Sequence, residues 1–286
     1  MAKKYTYFTD YVPPEKITMI GGFPTPPPRK VRRFHAAMSV MKLLVNKEDT
    51  RQVFEIVTAL AGKNSQRMFR RFVGSDYGRQ VVSQPIRLQE LLNRRDYLRS
   101  LPEGSLGRIY LNFMESEGLT PNGIIDAAEE AGFDYHSPTQ FEEFRQMFIH
   151  SEVSHDVWHV LSGYGRDTLG ELCLLGFTHA QNRNPGFRLI VFIGAIAAKF
   201  EQPSLPIWRA INQGIDIGKK SAWLLEHDLE PLLPMPLEDV RRRLNIAEPT
   251  VYNSIPQEIK DRLLKPRVDR TQSERESGKI SVASTA

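Results

Sequence analysis

The residues most able to do chemistry lie in one short stretch, His155-Asp156-Val157-Trp158-His159, with Glu171 following after eleven intervening residues. On a helix, side chains four positions apart project from one face, so both imidazoles can reach a single ion. Asp156 lies about 100° round from His155. It can share an ion placed between the two directions, or serve as a base beside it. Two histidines with one or two carboxylates suit zinc (Zn), or iron or manganese where more coordination positions stay open. Phe141, Phe144 and Phe148 fall within about 40° of the His155 direction on the same helix, so the histidines extend an apolar stripe that should face inward. Burying two imidazoles beside two carboxylates is costly unless they are paired or bound to metal. The alternatives to a metal site are a hydrogen-bonded histidine–carboxylate cluster and a pair of unrelated solvated histidines.

Other chemistries fit less well. A zinc peptidase uses H-E-x-x-H with glutamate as base, and Asp156 is one methylene shorter. A metallophosphohydrolase of the adjacent His-Asp type needs further ligands, and His136, His150, His179 and His227 have no matching spacing. Gly163-x-Gly165 lacks both the preceding strand and the Gly-Lys-Ser/Thr of a phosphate loop, and reads as a helix connector. Cys173, the one cysteine, sits between leucines as a core thiol. It excludes an internal disulfide framework and fits a reducing compartment.

Several elements must hold this constellation. Ser137-Pro138-Thr139 opens a helix predicted over about 139–162. The Gly163–Thr168 break lets the chain reverse into a helix over about 168–182, which turns Glu171 back toward the histidines. Asn184-Pro185-Gly186 introduces a third helix near 187–201, nearly apolar all round. It reads as a buried bundle helix, or as one wall of a groove in which Gly194, Ala195, Ala197, Ala198 and the facing Gly176 leave room for an apolar ligand. Helices near 207–227 and 237–244 follow. Upstream, three- and four-residue apolar spacing over 38–60 and further patterns to residue 117 are also helical, and period-two alternation is almost absent. The expected fold is all-α: a single bundle-like domain over 35–250, preceded by a Pro-rich basic arm (1–34) and followed by a tail (251–286) expected to be mostly disordered after 265. The arm ends in Pro26-Pro27-Pro28-Arg29-Lys30-Val31-Arg32-Arg33, stiffened toward an extended conformation.

A net charge of +4 over 286 residues is too weak, without a clustered reader motif, to argue for nucleic acid. The longest apolar run, 189–198, is far short of the roughly 20 residues that cross a bilayer. The first residues lack the apolar core of a secretory signal and the acid-poor, Arg-rich character of a transit peptide.

The segment from His155 to Glu171 resembles the Coq-four family of ubiquinone (coenzyme Q) biosynthesis proteins, whose H-D-x-x-H, eleven residues, E signature is matched by His155, Asp156, His159 and Glu171. Gly78-Arg79, Pro85, Leu101-Pro102-x-Gly104-Ser105-Leu106-Gly107, Tyr110 and Leu119-Thr120-Pro121 resemble its first half. Glu230 and the run Pro236-Leu237-x-x-Val240-Arg241-x-x-Leu244-x-Ile246 resemble its close, with Leu229 where the family has tryptophan. The resemblance covers about residues 40–248. It implies an α-helical protein that binds zinc through His155, Asp156, His159 and Glu171 and handles a polyprenylated aromatic lipid. The activity implied is a carbon–carbon lyase of the 4-hydroxy-3-methoxy-5-polyprenylbenzoate decarboxylase type, coupled to hydroxylation at the same carbon, with Asp156 as ligand or base. The alternative is a non-catalytic scaffold with a structural metal that organises other ubiquinone biosynthesis enzymes. Arg145 and Tyr164 are candidate substrate contacts. A homo-oligomer is expected, peripheral on an anionic membrane surface through Arg29, Lys30, Arg32 and Arg33. The location expected is cytoplasmic on a bacterial inner membrane, or the matrix face of the mitochondrial inner membrane in a eukaryote.

Overall fold

The computed structural model describes residues 8–46, 49–84, 87–121, 123–130 and 132–264. The tail from residue 265, Pro85 and Asn122 lie outside the described residues.

The fold is helical, as the spacing predicts. The first half carries α1 (Arg33–Val45), α2 (Thr50–Leu60), α3 (Asn64–Phe72), α4 (Asp76–Ser83), α5 (Arg87–Asn93), α6 (Arg95–Ser100), α7 (Leu106–Ser116) and α8 (Gly123–Glu130). The second half carries α9 (Glu142–Val153), α10 (His155–Ser162), α11 (Thr168–Asn182), α12 (Pro185–Glu201), α13 (Ile207–Lys220), α14 (Leu237–Arg243), α15 (Thr250–Asn253) and α16 (Gln257–Leu264). The single sheet among the described residues is a hairpin in the arm, β1 (Thr18–Ile20) antiparallel to β2 (Phe23–Thr25). The arm runs along the body and is tied to it. Phe8 is buried among Tyr135, Phe144 and Phe148, and Gln140 pairs with both the N–H and the carbonyl of Val12.

The main core runs from Phe69 and Phe72 through Phe141, Phe144, Trp158, Leu161 and Phe177. Fully burying a side chain of this size contributes about 2–3 kcal/mol, so this aromatic column is a large part of the drive to fold. The closest helix pair is α11 on α13. A Cβ on Gly214 would lie only 2.7 Å from the Cys173 carbonyl oxygen, so this approach needs glycine. Gly176 packs on Ile211 and Ile215 of the same helix, and Gly194 on Leu172. These small residues of α11 and α12 serve close packing, but α12 is not the buried helix that its composition suggests: only Gly186, Ile190, Val191, Ala195 and Ala198 are buried, and Phe192 and Phe200 are exposed.

Two boundaries differ from the sequence reading. The helix expected over 139–162 breaks at Ser154, whose hydroxyl donates back to the His150 carbonyl at 2.7 Å, a bond that competes with the helical ladder and bends it. The helix expected to 227 ends at Lys220, and Leu224–Glu226 forms a separate 3₁₀ turn. By contrast α11 has the predicted span, because Asp167 caps it: its carboxylate accepts from the N–H groups of Leu169 and Gly170 at 3.1 Å each.

Candidate metal centre

The break at Ser154 makes His155 the first residue of α10 and leaves His159 one turn on, facing the same way. Their rings meet edge to face with centroids 4.9 Å apart. One ligand atom from each of His155, Asp156 and His159 lies within 4.8 Å of the other two. Two ligands at about 2.1 Å from one ion can be at most about 4.2 Å apart, so a small side-chain rotation closes the group. Glu171 stands at its edge, with Oε1 3.5 Å from His159 Nε2.

His159 is the best-defined member. Its side chain is 1% exposed, and Nδ1 lies 2.9 Å from the Tyr164 carbonyl oxygen. A carbonyl only accepts, so Nδ1 carries the proton and Nε2 presents a bare lone pair. That Nε2 is buried and makes no hydrogen bond among the described residues. A second nitrogen held by a backbone carbonyl is the arrangement that orients a metal-bound histidine. The orphaned lone pair, flanked by a second imidazole and two carboxylates, fits a divalent cation.

The connector makes this possible. Gly163 sits at φ 75°, a left-handed conformation that ends α10 and turns the Tyr164 carbonyl back onto His159. Arg241 covers the exposed end of α10, donating to the carbonyls of Leu161 at 2.9 Å and Val160 at 3.1 Å. Tyr252 pins the connector by accepting from the Gly165 N–H at 3.1 Å and donating to Asp167.

The electrostatics are mutual. Burial alone would lower the His155 pKa, but the hydrogen bond its Nδ1 donates to Asp156, 3.4 Å away, and the charges of Glu171 and Asp156 hold it above the usual value. Burial would raise Asp156 and Glu171, yet the adjacent histidines and Arg166 keep both below the usual carboxylate range. The site therefore keeps two ionised carboxylates at neutral pH, suited to a cation.

Three neighbours were not singled out by spacing because they come from other elements. Phe113 of α7 stacks on His159 with centroids 5.6 Å apart. The Tyr110 hydroxyl is buried with no hydrogen-bond partner among the described residues, and burial together with the Asp156 charge pushes its pKa up. Arg166 lies 3.3 Å from Glu117 and lends positive charge to the carboxylates. Their one sequence clue is helical phase, since Tyr110, Phe113 and Met114 share a face of α7.

The other candidates fall elsewhere. Arg145 is buried, with its guanidinium on the Ser137 carbonyl and Glu142. Tyr164 reaches the site through its backbone carbonyl, while its ring is buried against Tyr252 and its hydroxyl makes no hydrogen bond among the described residues. His179 bonds the Asn184 carbonyl at the end of α11, and His136 pairs with Glu129. Cys173 is buried and its thiol pKa is raised by burial, the state of an inert core thiol. A shallow cleft between α4, α5 and α9 is lined by Tyr77, Gln80, Gln146, His150 and Asp228.

Fold and site together define a helical protein with a His155–Asp156–His159 group that could hold a metal ion, carried on a short helix of the fold. Sequence comparison narrows this further. The profile of the family described as coenzyme Q (ubiquinone) biosynthesis protein Coq4 matches residues 27–250, and the chain belongs to that family. It is 29% identical over 175 residues to the Bos taurus ubiquinone biosynthesis protein COQ4 homolog, mitochondrial, covering 60% of this chain and 62% of that one. The Homo sapiens homolog of the same name is 26% identical over 178 residues, covering 61% and 63%. The chain thus matches a little over three-fifths of the length of these relatives. A Nostoc punctiforme crystal structure shares the fold, with a TM-score of 0.56 at 19% identity over 77% of this chain and 100% of that one. No described helix is long and apolar enough to cross a membrane.

Proposed function

We propose that this ubiquinone biosynthesis protein is a metal-dependent lyase that removes the ring carboxylate of a polyprenylated hydroxybenzoate as carbon dioxide, a proton taking its place on the ring carbon; in the oxidative version molecular oxygen is the oxidant and a hydroxyl takes that place. The observation that carries the reading is the buried Nε2 of His159, which makes no hydrogen bond among the described residues and lies 3.5 Å from Glu171, beside His155 and Asp156. Those four residues would hold the ion, with zinc as the first candidate and iron or manganese compatible with the same donors. When bound, such an ion supplies Lewis-acid polarisation of substrate oxygens. Asp156, kept ionised by its neighbours, serves as ligand or as the base that accepts a proton. Tyr110 has an unused hydroxyl that can donate to a substrate oxygen, and Arg166 offers a cation to the leaving carboxylate. Phe113 keeps water off one face of His159.

A scaffold with a purely structural metal predicts a closed shell. The exposures favour an accessible site: His159 is 1% exposed, but His155 is 25% and Glu171 36% exposed, so one side of the group faces outward. Partner enzymes of the same biosynthesis remain part of the proposal. Purified protein loaded with zinc, iron or manganese in turn should release carbon dioxide from a carboxyl-labelled prenylated hydroxybenzoate, and His155→Ala should lose at least about 100-fold of that rate. Normal turnover by the variant rejects the assigned site. A stripped protein that keeps its melting temperature but loses turnover rejects the scaffold reading.

A further inference from the structure

Helix α1 is apolar on two opposite sides. Ala36, Ser39, Val40 and Leu43 face inward, where Val40 joins Ile56 and Ile190 in a small second core that binds α1 and α2 to α12. Phe34, Met38, Met41 and Val45 recur at four-, three- and four-residue steps and fall within about 60° of one another on the other side. They are exposed, Phe34 by 81% and Val45 by 88%. On the adjoining α12 and the start of α13, Phe192 and Trp208 form an exposed aromatic pair with centroids 6.0 Å apart, and Phe200 is 82% exposed. Eight of the large apolar side chains exposed in this protein belong to these three helices: Phe34, Met38, Met41, Leu44, Val45, Phe192, Phe200 and Trp208. Large exposed apolar surfaces mark places where something docks.

Charge identifies the occupant. Residues 29–45 contain five Lys or Arg and no acidic residue. Arg32 and Arg33 stand at the first turn of α1, so the basic end of the arm is continuous with the apolar stripe and not a separate tether. A self-association through this face would bring the basic cluster toward its own copy, an unfavourable match. An apolar helical face with phenylalanine, flanked by lysine and arginine, matches a helix lying in the interface of an anionic bilayer. We propose that α1, with Phe192, Phe200 and Trp208, is the element by which this protein beds into anionic lipid. This deepens the function proposed above, since a prenylated substrate resides in the bilayer, and rests on that reading only for the reason to be there.

The test uses the full chain and needs no turnover. Vesicles of phosphatidylcholine with about one-third phosphatidylglycerol should carry the protein in flotation. Phe34→Ser/Met41→Ser/Phe200→Ser should reduce the bound fraction at least ten-fold at low salt while leaving melting temperature and metal content unchanged. A second variant, Lys30→Gln/Arg33→Gln, should lose binding chiefly at low salt, because screening already weakens the charge contribution at high salt. Equal flotation of parent and apolar triple variant overturns the proposal. So does a parent that fails to float but is dimeric in solution while the triple variant is monomeric, since the face is then a self-interface. A floating protein without decarboxylase activity leaves this inference standing and removes the enzymatic reading.

Discussion

His150 and His155 lie five residues apart on two helices that are continuous but for one bend, and both are largely withdrawn from water, yet they are electrostatic opposites. His150 sits between Phe72 and Tyr77, each ring centroid 5.6 Å away, and its ring makes no hydrogen bond among the described residues. Burial alone drives its pKa down to about 4. His155 has Asp156 and Glu171 for neighbours, and they reverse the effect of burial. Withdrawal from water does not determine what an imidazole becomes. The deciding factor is whether an anion is withdrawn with it.

The largest consequence is on stability in acid. The unfolded chain takes up a proton at His150 near pH 6.5, the folded chain only near pH 4. The unfolded state therefore binds more protons in that window, and about 3 kcal/mol of stability present above pH 6.5 is lost as the pH falls to 4. His150→Phe should remove this dependence, read as a lower pH midpoint of acid unfolding followed by circular dichroism. An unchanged midpoint would mean that His150 is not the group that titrates.

Asp156→Asn tests the other half of the comparison. In metal-free protein the His155 pKa should fall, moving toward the behaviour of His150, as followed by the imidazole proton shifts in NMR. Metal affinity should fall by roughly 10- to 100-fold if Asp156 only orients the histidines, and further if it is a ligand. A His155 titration unaffected by the substitution would assign its raised pKa to Glu171 instead.

The smallest effect concerns the connector. Gly163→Ala places a Cβ at φ 75°, 3.1 Å from the Arg241 guanidinium and 3.2 Å from Pro249, and should cost about 1–2 kcal/mol in urea unfolding. Because Gly163 aims the Tyr164 carbonyl at His159, metal affinity should weaken as well, whereas the acid transition governed by His150 should be untouched. Loss of stability with full metal affinity would separate the turn from the site.

How much of this was readable beforehand depends on how far apart in the chain the cooperating residues lie. The His155–His159 pairing follows from helical geometry within one turn, and the span of α11 was legible from the Gly163–Thr168 break before it and Asn184-Pro185-Gly186 after it. Glu171 reached His159 because the glycine break announced a reversal. Tyr110, Phe113 and Arg166 stayed hidden: two of them arrive from a helix about 45 positions upstream, and no periodicity relates them to His155. The Ser154 bend was also hidden, since a serine inside a helical pattern reads the same whether its hydroxyl points to water or back to the fourth carbonyl before it. The arm was expected to be extended, but it turns back at Gly21-Gly22 into the β1–β2 hairpin, and proline content carries no sign of that pairing or of what the arm lies against.

That arm has a consequence for how the protein is made. Val12 bonds a residue 128 positions later and Phe8 one 131 positions later. A ribosome releases the arm first, and its docking surface, the aromatic side of α9, emerges only after half the chain has been synthesised. At about 5–20 residues per second that interval lasts on the order of ten seconds, during which Phe8 and Val12 lack the surface that covers them in the fold. The arm, although translated before α9, is thus among the last parts to settle, and the clasp it forms closes only around a body that has already assembled.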